Sequence, residues 1–207
     1  GVNAYCWRRA LPGDFGEVVA QLGQREGLTD LDSGQLRALK LSPAGRAAAE
    51  VLCADLHLLQ EQGFEPLLDC FDAYPRDEAA GAVATDVYSF HADRAPVPAA
   101  TFLCTYFGAP SEGVDNAQVR RHVEISETRA ALRREFGGPE GPEFEAFLTE
   151  HCYDLHYAPS PDARPFSFGI GHLWRIAIAH PGCPVPPCVH RAPPTVPGQT
   201  RRLLLIS

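Results

Sequence analysis

The sequence predicts an α+β fold in which N-terminal helices pack on an antiparallel β core. The first observation is order: helical patterns dominate before residue 80, and strand patterns follow it. The second is size and composition, since 207 residues with 45% hydrophobic and 21% charged side chains suit one globular domain, 1–207. We expect 1–80 to be mainly helical and 82–207 to form a β core with a helical or irregular insert at about 114–160. Well-separated strands of this kind form a sandwich or barrel.

Two helices are predicted in the N-terminal part. Asp14 and Glu17 have capping-box spacing, with Asp in the Ser/Thr position, and apolar residues follow them. The clearer helix runs from Pro43 to Gln62, because Ser42 can cap it and Pro43 suits the first helical position. Apolar residues recur along it at helical spacing. Gly63 is suited to end it.

Four later segments have the composition of β-strands. They are rich in β-branched, aromatic and aliphatic residues, and clusters of Pro and Gly separate them. The third contains the run IGHLWRIAIAH and the last the run RRLLLI. The predicted strands are Ala82–Phe90, Ala99–Phe107, Ile170–His180 and Arg201–Ile206.

Charge and cysteine content restrict the classes of partner. The formal net charge of −8 gives no global attraction to nucleic acid or to anionic lipid. No apolar run approaches the roughly 20 residues that span a bilayer. Seven cysteines cannot all pair internally, and a chain of this size does not require disulfides, so we expect reduced thiols in a cytoplasmic protein. We therefore expect a small-molecule partner, with no nucleic acid and no membrane.

The motif with the clearest chemical content is His91-Ala92-Asp93, which follows a predicted strand. Residues i and i+2 lie on one face of a strand, so the imidazole and the carboxylate can reach one metal ion. His190 follows a Pro-rich loop and precedes the last strand, which makes it the candidate for a third ligand. Two His and one carboxylate on one face of an ion leave other positions open, as in Fe(II) oxygenases.

The order of HxD, distal His and a late Arg resembles the Fe(II)/2-oxoglutarate-dependent oxygenases. The stretches HADRAPVPAATFLCTYFGAPSEG and VHRAPPTVPGQTRRLLLIS carry the resemblance, which covers Thr85 to Ser207 and leaves the N-terminal helices uncovered. HxD alone is a very common pattern, so the resemblance depends on the ordered set. The chain is also similar to an uncharacterised bacterial family in which an LCTY strand follows HxD.

The resemblance implies a double-stranded β-helix core, of the jelly-roll or cupin kind, that holds Fe(II). His91, Asp93 and His190 would be the catalytic metal ligands. The co-substrates would be 2-oxoglutarate and O₂, and the reaction would be hydroxylation, desaturation or cyclisation of a small molecule such as an amino acid or biosynthetic intermediate. Arg201 or Arg202 would pair with the far carboxylate of 2-oxoglutarate, because an Arg fork suits a carboxylate. Strand alternation directs only one of them inward, and Arg201 is the first choice.

Several other residues are candidates for binding roles. Tyr88 and Tyr106 are candidates to line the co-substrate pocket, although aromatic residues in strands are usually core residues. Trp174 and Arg175 are candidates for substrate binding, and they have opposite strand parity. His151 and His156 flank the CYDL stretch, where they form either substrate contacts or a solvated loop.

Other interpretations of the same residues remain open. The sequence HADRAP is also typical of a turn, and in that case His91 and Asp93 would bind no metal. Cys183, Cys188 and His190, with His180, could form a tetrahedral zinc site in a non-catalytic zinc-binding protein. A cupin-type metalloenzyme without 2-oxoglutarate is a further alternative, and it gains support if neither arginine faces the metal. The last alternative is a structural protein that binds no metal.

Overall fold

The protein is mixed α and β, with three antiparallel sheets. A computed structural model describes residues 1–23, 30–76, 81–198 and 201–207. The strands, in chain order, are β1 (Ala4–Trp7), β2 (Leu67–Phe71), β3 (Ala100–Phe107), β4 (Glu112–Val114), β5 (Val119–Arg121), β6 (Tyr157–Pro159), β7 (Phe166–Ser167), β8 (Leu173–Ala177), β9 (Val189–Arg191) and β10 (Arg202–Ile206).

Local capping chemistry positions the N-terminal helices. The Asp14 side chain accepts a hydrogen bond from the backbone N–H of Glu17 at the start of the first helix. Ser42 does the same for Gly45 at the start of the third. These caps satisfy backbone donors that a helix leaves free at its N-terminus. The helices are α1 (Phe15–Leu22), α2 (Ser33–Ala38), α3 (Pro43–Glu61), α4 (Ser126–Phe136) and α5 (Pro142–Glu150).

The largest sheet has five antiparallel strands in the order β1-β8-β3-β10-β2. One face packs on α1 and α3, and Cys104, Tyr106 and Leu203 belong to the core on that side. The opposite face contributes Ile176 and Leu204 to a second core. The two faces alternate residue by residue along each strand, so strand parity decides which core a side chain enters.

A second, smaller sheet covers that opposite face. It has the order β7-β4-β9, and His91 extends it by pairing with His190 of β9. Phe168 and Cys188, from segments next to β7 and β9, pack in one cluster with Ile176 and Leu204 of the large sheet. The chain visits the sheets alternately: β2, then the His91 segment, β3, then β4 and β7, and finally β8, β9 and β10.

The insert between β4 and β7 forms a satellite at one side of the small sheet. It holds the antiparallel pair of β5 and β6, helices α4 and α5, and three 3-10 turns. Phe144 and Leu132 anchor its separate apolar cluster. The insert reaches the small sheet where His156 pairs with His91.

The α+β prediction is confirmed, and one predicted strand is corrected. The predicted strand at 82–90 forms turns instead, because the Asp86 side chain accepts hydrogen bonds from the backbone N–H groups of Tyr88 and Ser89. That local bonding competes with a strand ladder. The mainly helical N-terminal part also supplies β1 and β2 to the large sheet. Among the helices in the described ranges, none is long and apolar enough to cross a membrane.

Candidate metal centre

Backbone pairing brings the three predicted ligands together. His91 and His190 exchange two backbone hydrogen bonds of 2.9 Å each, from N–H of each residue to C=O of the other. Such a pair presents both side chains on one face of the sheet. Asp93, two residues after His91, reaches the same face. The Asp93 Oδ1 atom lies 4.0 Å from His91 Nε2 and 3.9 Å from His190 Nε2.

Each ligand is oriented by a hydrogen bond on the side away from the others. His91 Nδ1 lies 2.8 Å from the Ser89 carbonyl oxygen, and His190 Nδ1 lies 3.3 Å from that of Cys188. A carbonyl oxygen only accepts, so each Nδ1 carries the proton and each Nε2 keeps a free lone pair. The Thr101 hydroxyl donates to Asp93 Oδ2 at 2.8 Å, which leaves Oδ1 facing the two Nε2 atoms.

The electrostatics favour a bound cation. Burial, together with the nearby His190, lowers the pKa of His91 to about 4, so the imidazole is neutral at pH 7. Neutral imidazole is the form that binds a metal. Asp93 Oδ1 lies beside the two Nε2 atoms. The donor set is therefore two nitrogen lone pairs and one carboxylate oxygen.

The geometry fits a divalent ion after a small contraction. The three ligand atoms lie within 4.8 Å of one another, so they form a group that can hold a metal ion. For bonds of about 2.1 Å at right angles, neighbouring ligand atoms lie about 3 Å apart. The nitrogen–oxygen separations of 3.9 and 4.0 Å therefore need to close by about 1 Å, and a separation of 4.8 Å by about 2 Å. His190 is almost fully buried, whereas the Asp93 side chain is 28% exposed, which leaves one side of the centre open.

That open side borders a cleft of about 560 Å³. His91 and Asp93 form its base, and His156 and Leu155 from the insert form one wall. A cleft of this volume is in the range of small-molecule sites. The metal centre is thus accessible from outside while its other side is packed against the core.

Arg202 is a buried cation on the face of β10 that looks toward the small sheet. Its side chain lies on the same face as Leu204, and its Nη2 donates to Ser111 Oγ at 3.3 Å. The guanidinium carbon lies 5.6 Å and 5.8 Å from the ring centres of Phe71 and Tyr74. Burial lowers the pKa of Arg202, and its Nε has no hydrogen-bond partner among the residues that the structure describes. Within the described ranges, no carboxylate lies within ion-pair distance of it.

Arg201, the first choice for that role, lies on the other face of the sheet. Its guanidinium hydrogen-bonds the Gly23 carbonyl and lies 3.6 Å from Asp72. The preference for Arg201 over Arg202 therefore does not match the structure. Pairing with β2 sets this parity, since Arg202 lies opposite Phe71.

Of the two predicted pocket tyrosines, one lies near Arg202 and the other lies on the helix-facing side of the large sheet. Tyr88 borders the same small cavity as Arg202, and its hydroxyl hydrogen-bonds the backbone of Tyr74. Tyr106 projects from β3 toward the helices, where its hydroxyl donates to Asp55 at 2.6 Å. Tyr106 therefore does not line a pocket at the metal, contrary to the prediction.

The two predicted substrate residues lie away from the cleft. Trp174 lies between the sheets, where it stacks on Phe168 with ring centres 4.5 Å apart and donates to the Phe168 carbonyl. Arg175 lies on the opposite face of β8 and borders a different cavity with Tyr5 and His180. Neither residue contributes to the walls around the metal centre.

The alternative zinc site is not assembled. Cys183 Sγ donates to the Val185 carbonyl, while Cys188 is buried in the core between the sheets. Across the described ranges, the group of His, Cys and carboxylate side chains close enough to share an ion is His91, Asp93 and His190. Cys6, Cys53, Cys104, Cys152, Cys183 and Cys188 are free thiols.

Two residues at the site had not been assigned a definite role from the sequence. Thr101 belongs to the predicted strand after HxD, but nothing in its spacing indicates contact with Asp93. His156 reaches the site because the insert folds back onto His91, with ring centres 5.7 Å apart. In both contacts, the spacing of the two residues along the sequence gives no sign that their side chains meet.

Comparison with known proteins adds no identification. No protein-family model matches the chain, and none of the curated proteins is significantly similar to it.

Proposed function

We propose that the protein is an Fe(II)/2-oxoglutarate-dependent oxygenase that oxidises a small molecule. The observation that carries the proposal is a His-Asp-His group together with a buried arginine, Arg202, that has no carboxylate partner among the described residues and lies between the same two sheets. A facial set of two His and one carboxylate leaves positions free for a bidentate co-substrate and O₂.

The strand order supports a double-stranded β-helix core. In the large sheet the strands run β2-β10-β3-β8, and in the small sheet the His91 segment is followed by β9, β4 and β7. The chain alternates between the sheets in each half, which is the path of a jelly roll. In this interpretation, β1 is an added edge strand and 116–159 is an insert.

Arg202 is the proposed anchor for 2-oxoglutarate. A buried guanidinium without a counter-ion is costly, and a ligand carboxylate would offset that cost through paired hydrogen bonds. Ser111 is positioned to bond the same carboxylate. Phe168 connects the two ends of this interior, since it packs in the cluster with Phe71 and Leu204 and lies 6.4 Å, between ring centres, from His190.

The residues of the chain then have distinct tasks. His91, Asp93 and His190 would hold Fe(II), which with O₂ and 2-oxoglutarate would supply the oxidising power. Thr101 keeps Asp93 in its ligand orientation. Arg202 orients the co-substrate, and the cleft orients the substrate. For a hydroxylation, the overall balance is substrate, O₂ and 2-oxoglutarate going to hydroxylated substrate, succinate and CO₂.

The test is an anaerobic titration of Fe(II) and 2-oxoglutarate, followed by visible spectroscopy. Chelation of Fe(II) by 2-oxoglutarate should give a visible charge-transfer band, and His91→Ala should abolish it. Arg202→Gln should raise the 2-oxoglutarate concentration needed for half of the band by about tenfold or more, because a charge-assisted pair is lost. Arg201→Gln is the matched control and should leave it unchanged.

The absence of a band in folded wild-type protein would contradict the proposal. A band that requires Arg201 and tolerates Arg202→Gln would contradict the assigned co-substrate orientation. A cupin-type enzyme without 2-oxoglutarate would bind Fe(II) and give no band.

A further inference from the structure

The walls of the cleft above the metal centre are mainly apolar. Its apolar lining comes from Val87, Ala92, Ala95, Pro96 and Leu155, beside Thr85, Thr149 and Cys152 and around the base formed by His91 and Asp93. Apolar walls with a few polar groups are typical of sites that bind small molecules by shape. The polar groups present therefore determine which ligands the cleft accepts.

The cation at the cleft is already paired. Arg94 lines the cleft, but its guanidinium hydrogen-bonds the carboxylate of Asp154. Arg121 binds the same residue, with its Nε donating to the Asp154 carbonyl at 2.8 Å. Among the cleft residues that the structure describes, no other Lys or Arg is present. A ligand carboxylate or phosphate would thus lie in an apolar cleft without a cationic partner, which is unfavourable.

His156 is a buried polar residue in the wall of the cleft. Its Nδ1 lies 2.8 Å from the Cys152 carbonyl oxygen, so Nδ1 carries the proton and Nε2 is an acceptor. The residue is only 4% exposed, and in the described part of the chain its Nε2 has no hydrogen-bond partner. A shielded acceptor without a donor costs stability, and a ligand N–H or O–H would remove that cost.

We propose that the cleft binds an uncharged, mainly apolar small molecule and that His156 Nε2 accepts a hydrogen bond from its hydroxyl or amide N–H. This inference rests on the proposed function and narrows its substrate class. It disfavours a free amino acid, because the zwitterion would bring a carboxylate without a partner. His156 is a specificity-determining residue, and its position beside His91 places the bonded group of the substrate near the metal.

The test uses four probes with one carbon skeleton: 3-phenylpropan-1-ol, its methyl ether, the corresponding primary amine and 3-phenylpropanoate. Each is titrated into metal-free, ¹⁵N-labelled protein, and the amide shifts of Ala95 and Thr149 report occupancy of the cleft. The alcohol should bind about two- to tenfold more tightly than the ether, which cannot donate. The charged probes should bind about tenfold or more weakly than the alcohol. The amine is the stringent comparison, since unliganded Asp93 would attract it.

Two variants separate His156 from the rest of the cleft. His156→Phe keeps a ring but removes the acceptor, so the alcohol and the ether should bind it equally. His57→Phe, at an exposed position on α3, is the matched control and should keep the wild-type ratio. If His156→Phe does not fold, the wild-type probe series still decides, and Ala95→Leu should weaken all four probes by filling the cleft.

Equal binding of alcohol and ether to the wild type would overturn the inference. So would tightest binding of the carboxylate or the amine, or shifts confined to the groove between α2 and α3, around Leu36 and Ala49. These titrations need neither metal nor 2-oxoglutarate. Their failure with an intact charge-transfer band would leave the proposed function standing, and a missing band with the expected probe order would refute that function alone.

Discussion

Replacing Thr101 with Val should weaken metal binding without unfolding the protein. Thr101 is 8% exposed, and its hydroxyl is 2.8 Å from Asp93 Oδ2. A hydrogen bond to a charged group contributes about 1.5–3 kcal/mol, and loss of a bond that orients a metal ligand typically reduces affinity by about 10–100-fold. We therefore expect the Kd for Mn(II) or Zn(II), measured by isothermal titration calorimetry, to rise by about 10–100-fold.

Matched variants separate orientation from packing. Thr101→Ser keeps the hydroxyl and should restore most of the affinity. Thr105→Val makes the same change four residues further along the same face of β3, at another buried position, and should leave the Kd unchanged. A Thr101→Val protein with wild-type Kd and wild-type Tm would refute the reasoning that this hydroxyl holds Asp93 in place.

Two further predictions concern the network between β1 and α3. Asp55→Ala should lower the free energy of unfolding, measured in urea, by about 3 kcal/mol, because Arg9 and Tyr106 lose the carboxylate that they share. The Arg9 guanidinium binds that carboxylate at 2.7 Å and 2.8 Å. Glu50→Ala, at an exposed position on the same helix, should lower it by less than about 0.5 kcal/mol, and equal losses for the two variants would contradict the assignment. Burial raises the pKa of Cys104 from 9.0 to about 11, so the unfolded chain loses this proton first and stability should fall between pH 9 and 11. Cys104→Ala should make that decline shallower, and an unchanged slope in denaturant titrations would contradict it.

Elements with strong local patterns could be predicted from the sequence. Helix α3 begins at Pro43, as the Ser-Pro pair indicates, and β3 departs from the predicted Ala99–Phe107 by one residue. The segment 82–90 was predicted wrongly because β-branched and aromatic composition does not report the hydrogen bonds of Asp86. The contributions of β1 and β2 to the large sheet depend on pairing with β8 and β10, which lie more than a hundred residues away.

The grouping of His91, Asp93 and His190 could be predicted from the sequence, whereas the sheet face on which each neighbouring side chain lies could not. His91 and Asp93 are related by the two-residue period of a strand, and His190 by its place before the last strand. The choice between Arg201 and Arg202 depends on the register of one strand, where a shift of one residue exchanges the two faces. The prediction that Tyr106 lines the co-substrate pocket failed for the same reason, because its side chain lies on the helix-facing side of β3. The roles of Thr101 and His156 depend on long-range contacts that no local spacing encodes.

A crystal structure with Mn(II) and 2-oxoglutarate soaked in under anaerobic conditions would show whether His91, Asp93 and His190 bind a metal and whether Arg202 binds the co-substrate. We expect an anomalous peak bound by Nε2 of His91, Nε2 of His190 and Oδ1 of Asp93, with the far carboxylate of 2-oxoglutarate on Arg202. Electron density for the metal at Cys183 and Cys188, or well-ordered crystals with no metal between the three proposed ligands at saturating Mn(II), would contradict it.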